Sequence, residues 1–380
     1  MSVKSTEIKD NTKDSMRVLI THPDARGGVS NYYRQLRGRF TVPVHHFVVG
    51  RTLGEHGHLQ RTLRRLADYW RFVMLLRKSS IDLVHLNPSL DPKSFIREGF
   101  FALLARASKK KVIVFFHGWE KSCEVRIERY FLWIFSWFFG KADALIVLTN
   151  ENKETLERWS VIQPIYKEVT VINDNELAGF DIQNALKKRQ SSKTWRILFL
   201  ARIIREKGIY ETMEAFSLIQ SKHPTVELVV AGDGQELDNV KSFTQARKFH
   251  NVTFAGYIKD EEKRRTFEEA HIFCLPSYTE GCPVSVIEAM AYGLPVVTRL
   301  VGGLVDFFEN GENGFISESL DPNVLAGQIE KLLVNKNLYE RISLNNYQYA
   351  QSHFLASDAA LRLERIYEAA FSSSRPDKKA

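Results

Sequence analysis

Short apolar runs that alternate with amphipathic helical stretches constrain this chain more than any other feature. The first series of runs occupies 16–21 (MRVLIT), 42–49, 81–86 (IDLVHL), 112–116 (VIVFF), 144–148 and 169–172. Helices are expected between them over 29–36, 61–77, 95–107 and 127–139. The pattern pauses in polar sequence at 187–193 and restarts at 196–200 (RILFL). Strands then follow at 226–231, 252–254, 272–275, 295–298 and 314–316, with helices at 209–220, 237–248, 285–292, 324–333, 338–351 and 358–370. Strands this apolar are buried on both faces, so each series predicts a parallel sheet covered by helices. The expected class is α/β, with two doubly wound Rossmann-like domains over 16–185 and 186–355. Residues 1–15 and 371–380 read as disordered ends, and 356–370 as a separate final helix. Loops at the carboxyl ends of such strands bind ligands, and two lobes are expected to turn those loops towards each other across a cleft.

Net charge is +8, from 53 Lys+Arg against 45 Asp+Glu. Residues 1–190 hold 31 basic and 20 acidic side chains, while 191–380 hold 22 and 25. The whole excess therefore sits in the first half, which points to an anionic partner there. Three cysteines, Cys123, Cys274 and Cys282, form no CxxC. That argues against a disulfide framework and for a reducing compartment. The polar start lacks the apolar core of a signal peptide, and the longest apolar run, 130–139, is half what a membrane span needs. A cytoplasmic, non-spanning protein is expected. No two aspartates stand two apart, and no His/Cys/carboxylate cluster has metal spacing, so no metal is expected.

The segment 278–297 (YTEGCPVSVIEAMAYGLPVV) carries the most chemistry. Glu280 and Gly281 lie in a loop after a strand, and a helix starts near Pro283, where a missing N–H costs little. Glu288 follows eight residues later. The free N–H groups between the two carboxylates make an anion site. Hydroxyl-binding carboxylates beside an anion site suit a sugar nucleotide; two surface glutamates around a helix cap are the plainer alternative. Arg202 and Lys207 follow the restart strand, and two fixed cations there suit a pyrophosphate leaving group, although basic residues are common in loops. Gly232-Asp-Gly lacks the third glycine of GxGxxG and reads as a tight strand-to-helix turn. In the first half, Gly27-Gly28 leaves backbone amides open to phosphate. His117 ends a strand, where it reads either as a structural histidine or as a hydrogen-bonding and proton-transfer group.

Taken together, these residues resemble the GT-B-fold glycosyltransferases, and within them the retaining glycosyltransferase family 4 (glycosyl transferases group 1). The likeness runs from about 16 to 370. It is most specific from Glu280-Gly281 through Glu288-Ala-Met-Ala-Tyr-Gly-Leu-Pro-Val-Val, with Gly302-Gly303 and 309–316 after it. The resemblance implies a role for each residue. Arg202 and Lys207 would clamp the donor diphosphate, with the Gly27-Gly28 amides beside it. Glu280 would bind hydroxyls of the transferred sugar and Glu288 those of the ribose. Gly281, Cys282, Val284 and Ser285 would line the donor, His117 would face its sugar, and Tyr257 and Ile258 would lie near the base. It implies a UDP- or GDP-sugar as donor, no cofactor, and a final helix that crosses back to the first lobe. Two positions depart from the pattern: Ala201 replaces the usual glycine, and Pro283 offers no amide where many members have glycine.

The expected function is transfer of a sugar, with retention, from a nucleoside diphosphate to a glycan or lipid-linked acceptor, in bacterial cell-surface polysaccharide or glycolipid synthesis. The alternatives are a nucleotide-sugar epimerase or a phosphorylase on the same fold, or a basic nucleic-acid-binding protein. No nucleic-acid module is visible, and the acidic second half disfavours the last. The basic first half, with Arg61, Arg64, Arg65, Arg71, Arg77 and the aromatic stretch 130–139, suits peripheral contact with an anionic inner-membrane surface. A packed core helix with a solvated basic face is the alternative for that stretch.

Overall fold

The structure is a computed structural model that describes residues 16–23, 27–49 and 58–372, the side chains of 58–62 apart. The chain ends read as disordered and the side chain of Arg61 lie outside the described residues. Two compact units emerge. Unit 1 comprises Met1–Val147, Thr155–Tyr166 and Ala360–Ala380; unit 2 comprises Leu148–Glu154 and Lys167–Ala359.

Unit 1 begins β1 (Val18–His22), α1 (Gly28–Gln35), β2 (Val44–Val48), α2 (His58–Lys78), β3 (Leu83–Leu86), β4 (Ser89–Leu90) and α3 (Pro92–Ala107). It continues through β5 (Lys111–Phe116), β6 (Gly118–Trp119), α4 (Lys121–Arg126), a π-helical turn at Ile127–Phe131, α5 (Leu132–Phe138) and β7 (Ala144–Val147). Helix α6 (Asn150–Arg158) and β8 (Ile165–Lys167) straddle the division between units. The strand order is β2-β1-β3-β5-β7-β8, and β1, β2, β3, β5 and β7 pair in parallel. The inner strands β3, β5 and β7 are buried at nearly every position because helices cover both faces, whereas the edge strand β2 (VHHFV) leaves His45 and His46 exposed.

Unit 2 contains α7 (Ile182–Gln190), β9 (Arg196–Leu200), α8 (Ile209–Lys222), β10 (Glu227–Ala231), α9 (Leu237–Ala246), β11 (Val252–Gly256) and α10 (Asp260–Glu269). Then come β12 (Ile272–Leu275), α11 (Val284–Ala291), β13 (Val296–Arg299), β14 (Gly314–Ser317), α12 (Pro322–Val334) and α13 (Lys336–His353). Its sheet runs β11-β10-β9-β12-β13-β14, all parallel. Each unit has its own buried apolar core. The last helix, α14 (Ala356–Ser372), starts in unit 2 and groups with unit 1 from Ala360 onward.

Several sequence expectations need correction. Residues 169–172 form no strand; Ile172 instead makes an isolated bridge with Leu355, donating to Phe354 O at 2.9 Å. The polar stretch 187–193 starts as the last turn of α7, which ends at Gln190 and whose start is capped by the Asp181 carboxylate, and only 191–193 are non-helical. Helices α4, α6, α7 and α10 stand where the sequence pattern predicts none. In α10 (DEEKRRTFEE) only Phe267 is buried, so no apolar stripe announces it. Acidic residues in its first turn and the pairs Arg264–Glu268 (2.8 Å) and Arg265–Glu269 (2.7 Å) support it instead. The spacing of Leu63, Leu66, Tyr69, Trp70, Val73 and Leu76 predicts one apolar stripe on α2, but of these only Leu76 is buried and Leu63, Leu66 and Trp70 face solvent, while Phe72, outside the stripe, is fully buried.

Candidate functional site

In a doubly wound sheet the ligand crevice opens at the carboxyl edge where strand order reverses. In unit 2 that point lies between β9 and β12. The segments leaving these strands carry Arg202 to Gly208 and Pro276 to Pro283. Backbone contacts fasten them together. Tyr278 N–H donates to Glu206 O at 2.8 Å. Gly208 has φ +73, and a Cβ there would stand 2.3 Å from Pro276 O. The second segment is also clasped by Gly302-Gly303. Gly302 has φ +55 with room for no Cβ beside Glu280 O, and Gly303 N–H donates to Gly281 O at 2.6 Å.

This stitching sets Lys207 against Glu280: Nζ to Oε1 is 2.5 Å, and Ser277 Oγ donates to the same oxygen at 2.7 Å. A cation and a carboxylate thus share the reversal point of the sheet. Arg202 projects from the same segment and is exposed. Helix α11 begins at Val284 and Ser285 after Pro283, with no side-chain cap and no acidic residue in its first turn. Its first N–H groups therefore lack intrahelical acceptors and offer partial positive charge. Cys282 is anchored through its carbonyl, which accepts from Thr170 Oγ1 at 3.2 Å, and burial pushes its thiol up.

Glu288 lies in the second turn of α11, 5% exposed, and its carboxylate is held by Lys263 of α10 at 2.8 Å. Lys263 also reaches Glu176 at 2.9 Å. Burial raises the Glu288 carboxyl, and the Lys263 ammonium offsets this only in part. For Lys263 burial favours the neutral form, but the two carboxylates outweigh it and hold the ammonium charged. Tyr257 and Ile258 follow β11, the first exposed and the second buried.

The Gly232-Asp-Gly234 turn serves packing. A Cβ on Gly232 (φ +139) would lie 1.9 Å from Ala201 O, and one on Gly234 2.3 Å from Ile203 O. The two glycines let this turn press on the backbone that carries Arg202.

In unit 1 the order reverses between β1 and β3. Gly27, with extended backbone, is the N-cap of α1, and among the described residues no atom lies within 4 Å of where a Cβ on Gly28 would stand. His117 leaves β5 largely buried against Phe115, with ring centroids 3.8 Å apart. It joins a polar cluster at the carboxyl edge. Asn87 Oδ1 lies 3.0 Å from His117 Nε2 and accepts from Tyr33 O–H at 2.6 Å. Tyr33 O–H lies 3.2 Å from His85 Nε2, and His85 Nδ1 lies 2.7 Å from Tyr367 O–H on α14. Burial pushes His85 down to about 3, and burial with His85 beside it holds His117 well below the usual histidine range. Both rings are neutral near pH 7. Gly118 is required by close pairing of β6 with β4, since a Cβ would meet Ser89 at 2.7 Å. Beside α1 a cavity of about 330 Å³ is lined, among the described residues, by His22, Ser30, Tyr33, Arg34, Arg37 and His46. A larger cavity in unit 2, about 520 Å³, borders the start of β9 and His271, at the opposite edge of that sheet from Lys207.

Lys207, Glu280 and the start of α11 thus come together in unit 2, with Arg202 on the same segment, while Glu288 is bound to α10. Gly27, Gly28 and His117 belong to unit 1. No sequence motif marks Lys263, Glu176, Tyr33, His85, Asn87 or Tyr367. A histidine inside the apolar run IDLVHL, followed at once by Asn87, was the available signal for the unit 1 cluster.

Two doubly wound units in tandem, each with its polar groups at a carboxyl-edge reversal, define a GT-B protein. The comparisons agree on the fold: sucrose-phosphate synthase from Thermosynechococcus elongatus superposes with a TM-score of 0.72 at 20% identity, over 94% of this chain and 100% of that one. The family model for Glycosyltransferase Family 4 matches 26–173, and that for Glycosyl transferases group 1 matches 181–349. The chain belongs to the glycosyltransferase family 4-like group. Among curated proteins it is 30% identical to the capsular polysaccharide biosynthesis glycosyltransferase CapM of Staphylococcus aureus, over 58% of this chain and 56% of that protein. It is 26% identical to the putative teichuronic acid biosynthesis glycosyltransferase TuaC of Bacillus subtilis, over 80% of this chain and 75% of that protein. The match thus spans little more than half the length of the first of these relatives.

Proposed function

We propose that this protein is a retaining glycosyltransferase. It moves a sugar from a nucleoside diphosphate donor to a glycan or lipid-linked acceptor in cell-surface polysaccharide or glycolipid synthesis. The observation that carries the reading is the Lys207–Glu280 pair at the β9/β12 reversal, beside an uncapped helix start. The family membership and the capsular and teichuronic acid relatives support the same class of product.

The chemistry follows from the charges. Donor diphosphate competes with Glu280 for Lys207, with Arg202 and the α11 amides completing the clamp. Glu280 is then released to accept from hydroxyls of the donor sugar. As the bond between the anomeric carbon and the phosphate oxygen breaks, these donors stabilise the growing negative charge. The acceptor oxygen attacks from the same face, and its proton passes to the departing phosphate oxygen. His117, neutral and oriented by Asn87, serves as a hydrogen-bonding group and not as a charged acid. The cavity lined by Arg34 and Arg37 suits an acceptor that bears an anionic group.

A panel of UDP-, GDP- and ADP-sugars screened by thermal shift, then incubated with acceptor extracts, tests this. Binding of one donor and a product with the donor's anomeric configuration are expected. An inverted product would overturn retention. Donor conversion without any acceptor would favour an epimerase, and no donor binding at all would overturn the class.

A further inference from the structure

The three helices α2, α3 and α5 of unit 1 form one layer. The chain steps one way from β1 to β2 and the other way through β3, β5 and β7. Right-handed crossovers therefore put α2, α3 and α5 on one face of the sheet and α1 on the other. Ring contacts run along the layer, Tyr69 to Phe100 at 6.0 Å and Phe100 to Phe138 at 5.5 Å. Arg106 of α3 donates to the carbonyls of Trp137 and Phe138.

The outer side of this layer is not an ordinary solvated surface. Each helix exposes large apolar side chains at helical spacing: Leu66 and Trp70 on α2, Ile96 and Phe100 on α3, Trp133 and Trp137 on α5. Trp70 is 65% exposed, Trp133 68% and Trp137 52%. Isolated exposed apolar residues are common, but a run across three adjacent helices marks an interaction site. The charge around it has one dominant sign. Arg65, Arg71, Arg77, Lys78 and Arg129 are exposed. The acids of α2, α3 and the α4 segment that leads into α5 are mostly turned inward: Asp68, Glu98 and Glu124 are buried and paired with Arg71, Arg97 and Lys121. Exposed Glu128 is paired with Arg158.

We propose that this face docks unit 1 onto an anionic lipid bilayer, with the tryptophans at headgroup depth and the arginines on the lipid charge. Tryptophan prefers that interface, and basic residues beside it are drawn to anionic lipid. A second copy of the chain is the poorer occupant, because it would set arginine against arginine. No helix among the described residues is long and apolar enough to cross a membrane, so the contact is peripheral. The proposal goes beyond sugar transfer and stands independently of it.

Co-sedimentation of the full chain with phosphatidylcholine vesicles, with and without phosphatidylglycerol, is the test. Binding only to the anionic vesicles, released by salt, is expected. The Trp133→Ser/Trp137→Ser variant should bind at least about tenfold more weakly, and Arg65→Glu/Arg77→Glu should lose the preference for anionic lipid. Circular dichroism and nucleotide affinity should be unchanged in both. Failure to bind anionic vesicles, or undiminished binding by both variants, overturns the proposal. So does a dimer in sedimentation velocity that the tryptophan variant abolishes, since the second copy would then be the occupant.

Discussion

Lys207 and Glu280 neutralise each other before any ligand arrives, so each is set up to be exchanged. Lys207→Ala should lower kcat by about 10²–10³, the cost typical of losing one fixed donor to a developing oxyanion. Steady-state kinetics with the identified donor checks it, and a rate within a few-fold of wild type would remove Lys207 from the clamp. Lys263 has a different part. It compensates the buried Glu288 carboxylate, and Lys263→Met should cost about 3–5 kcal/mol by leaving that charge unpaired. The Glu288 carboxyl is already raised above the ordinary value of 4.5, and without Lys263 it rises further. In the variant the native state then binds a proton that the unfolded state has released, so stability falls as pH rises above about 4.5. Urea midpoints should therefore show a smaller penalty at pH 5 than at pH 8; equal penalties would mean that Glu288 stays ionised or that the loss is one of packing.

Among the elements, the loop between β12 and α11 depends on contacts that only glycine permits. Gly302→Ala should shift the backbone of Glu280 and Gly281, because the added Cβ would lie 2.2 Å from Glu280 O at a φ of +55. A loss of about 1–3 kcal/mol is expected, with weaker donor binding by calorimetry; unchanged affinity would show that the loop is not part of the site. The strands carry a pH signature too. His85 titrates at about 3 and His271 at about 4, both depressed chiefly by burial. Their stabilisation is fully present above the unfolded value of 6.5 and is lost as pH falls towards the folded values. Stability should drop by about 1.4 kcal/mol per pH unit for each such histidine below pH 6.5, read as a falling urea midpoint between pH 7.5 and 5. The strands flanking these histidines were legible as apolar runs. Helix α10, which holds Lys263, was not, because a helix built on charge pairs with one buried phenylalanine has no apolar period to read. For that reason Glu288 could be picked out in the sequence while its partner could not.

Across the whole molecule, two cores carry separate polar clusters, and α14 is the last link between the units. Its first residues hydrogen-bond in unit 2, where Ala356 N–H donates to Ile172 O. Further on, Glu364 accepts from Thr41 and Val42 of unit 1. A nucleotide that binds unit 2 should protect it selectively: at 100 times Kd the gain is about 2.7 kcal/mol. Hydrogen exchange with saturating nucleotide should slow amides over 201–208 and 276–288, and absence of protection there would overturn the placement of the donor. The alternation of apolar runs, the glutamate loop and the basic first half were determined by the sequence alone, since burial period, turn chemistry and net charge are local properties. Tertiary structure decided the rest. It set Lys207 on Glu280 by crossing from β9 to β12 over some 70 residues, tied Glu288 to an unannounced helix, and turned Trp70 and Trp133 outward on helices whose other faces are core. Those outcomes depend on strand order and on which face of each helix meets the sheet, and neither is encoded in any window short enough to read along the chain.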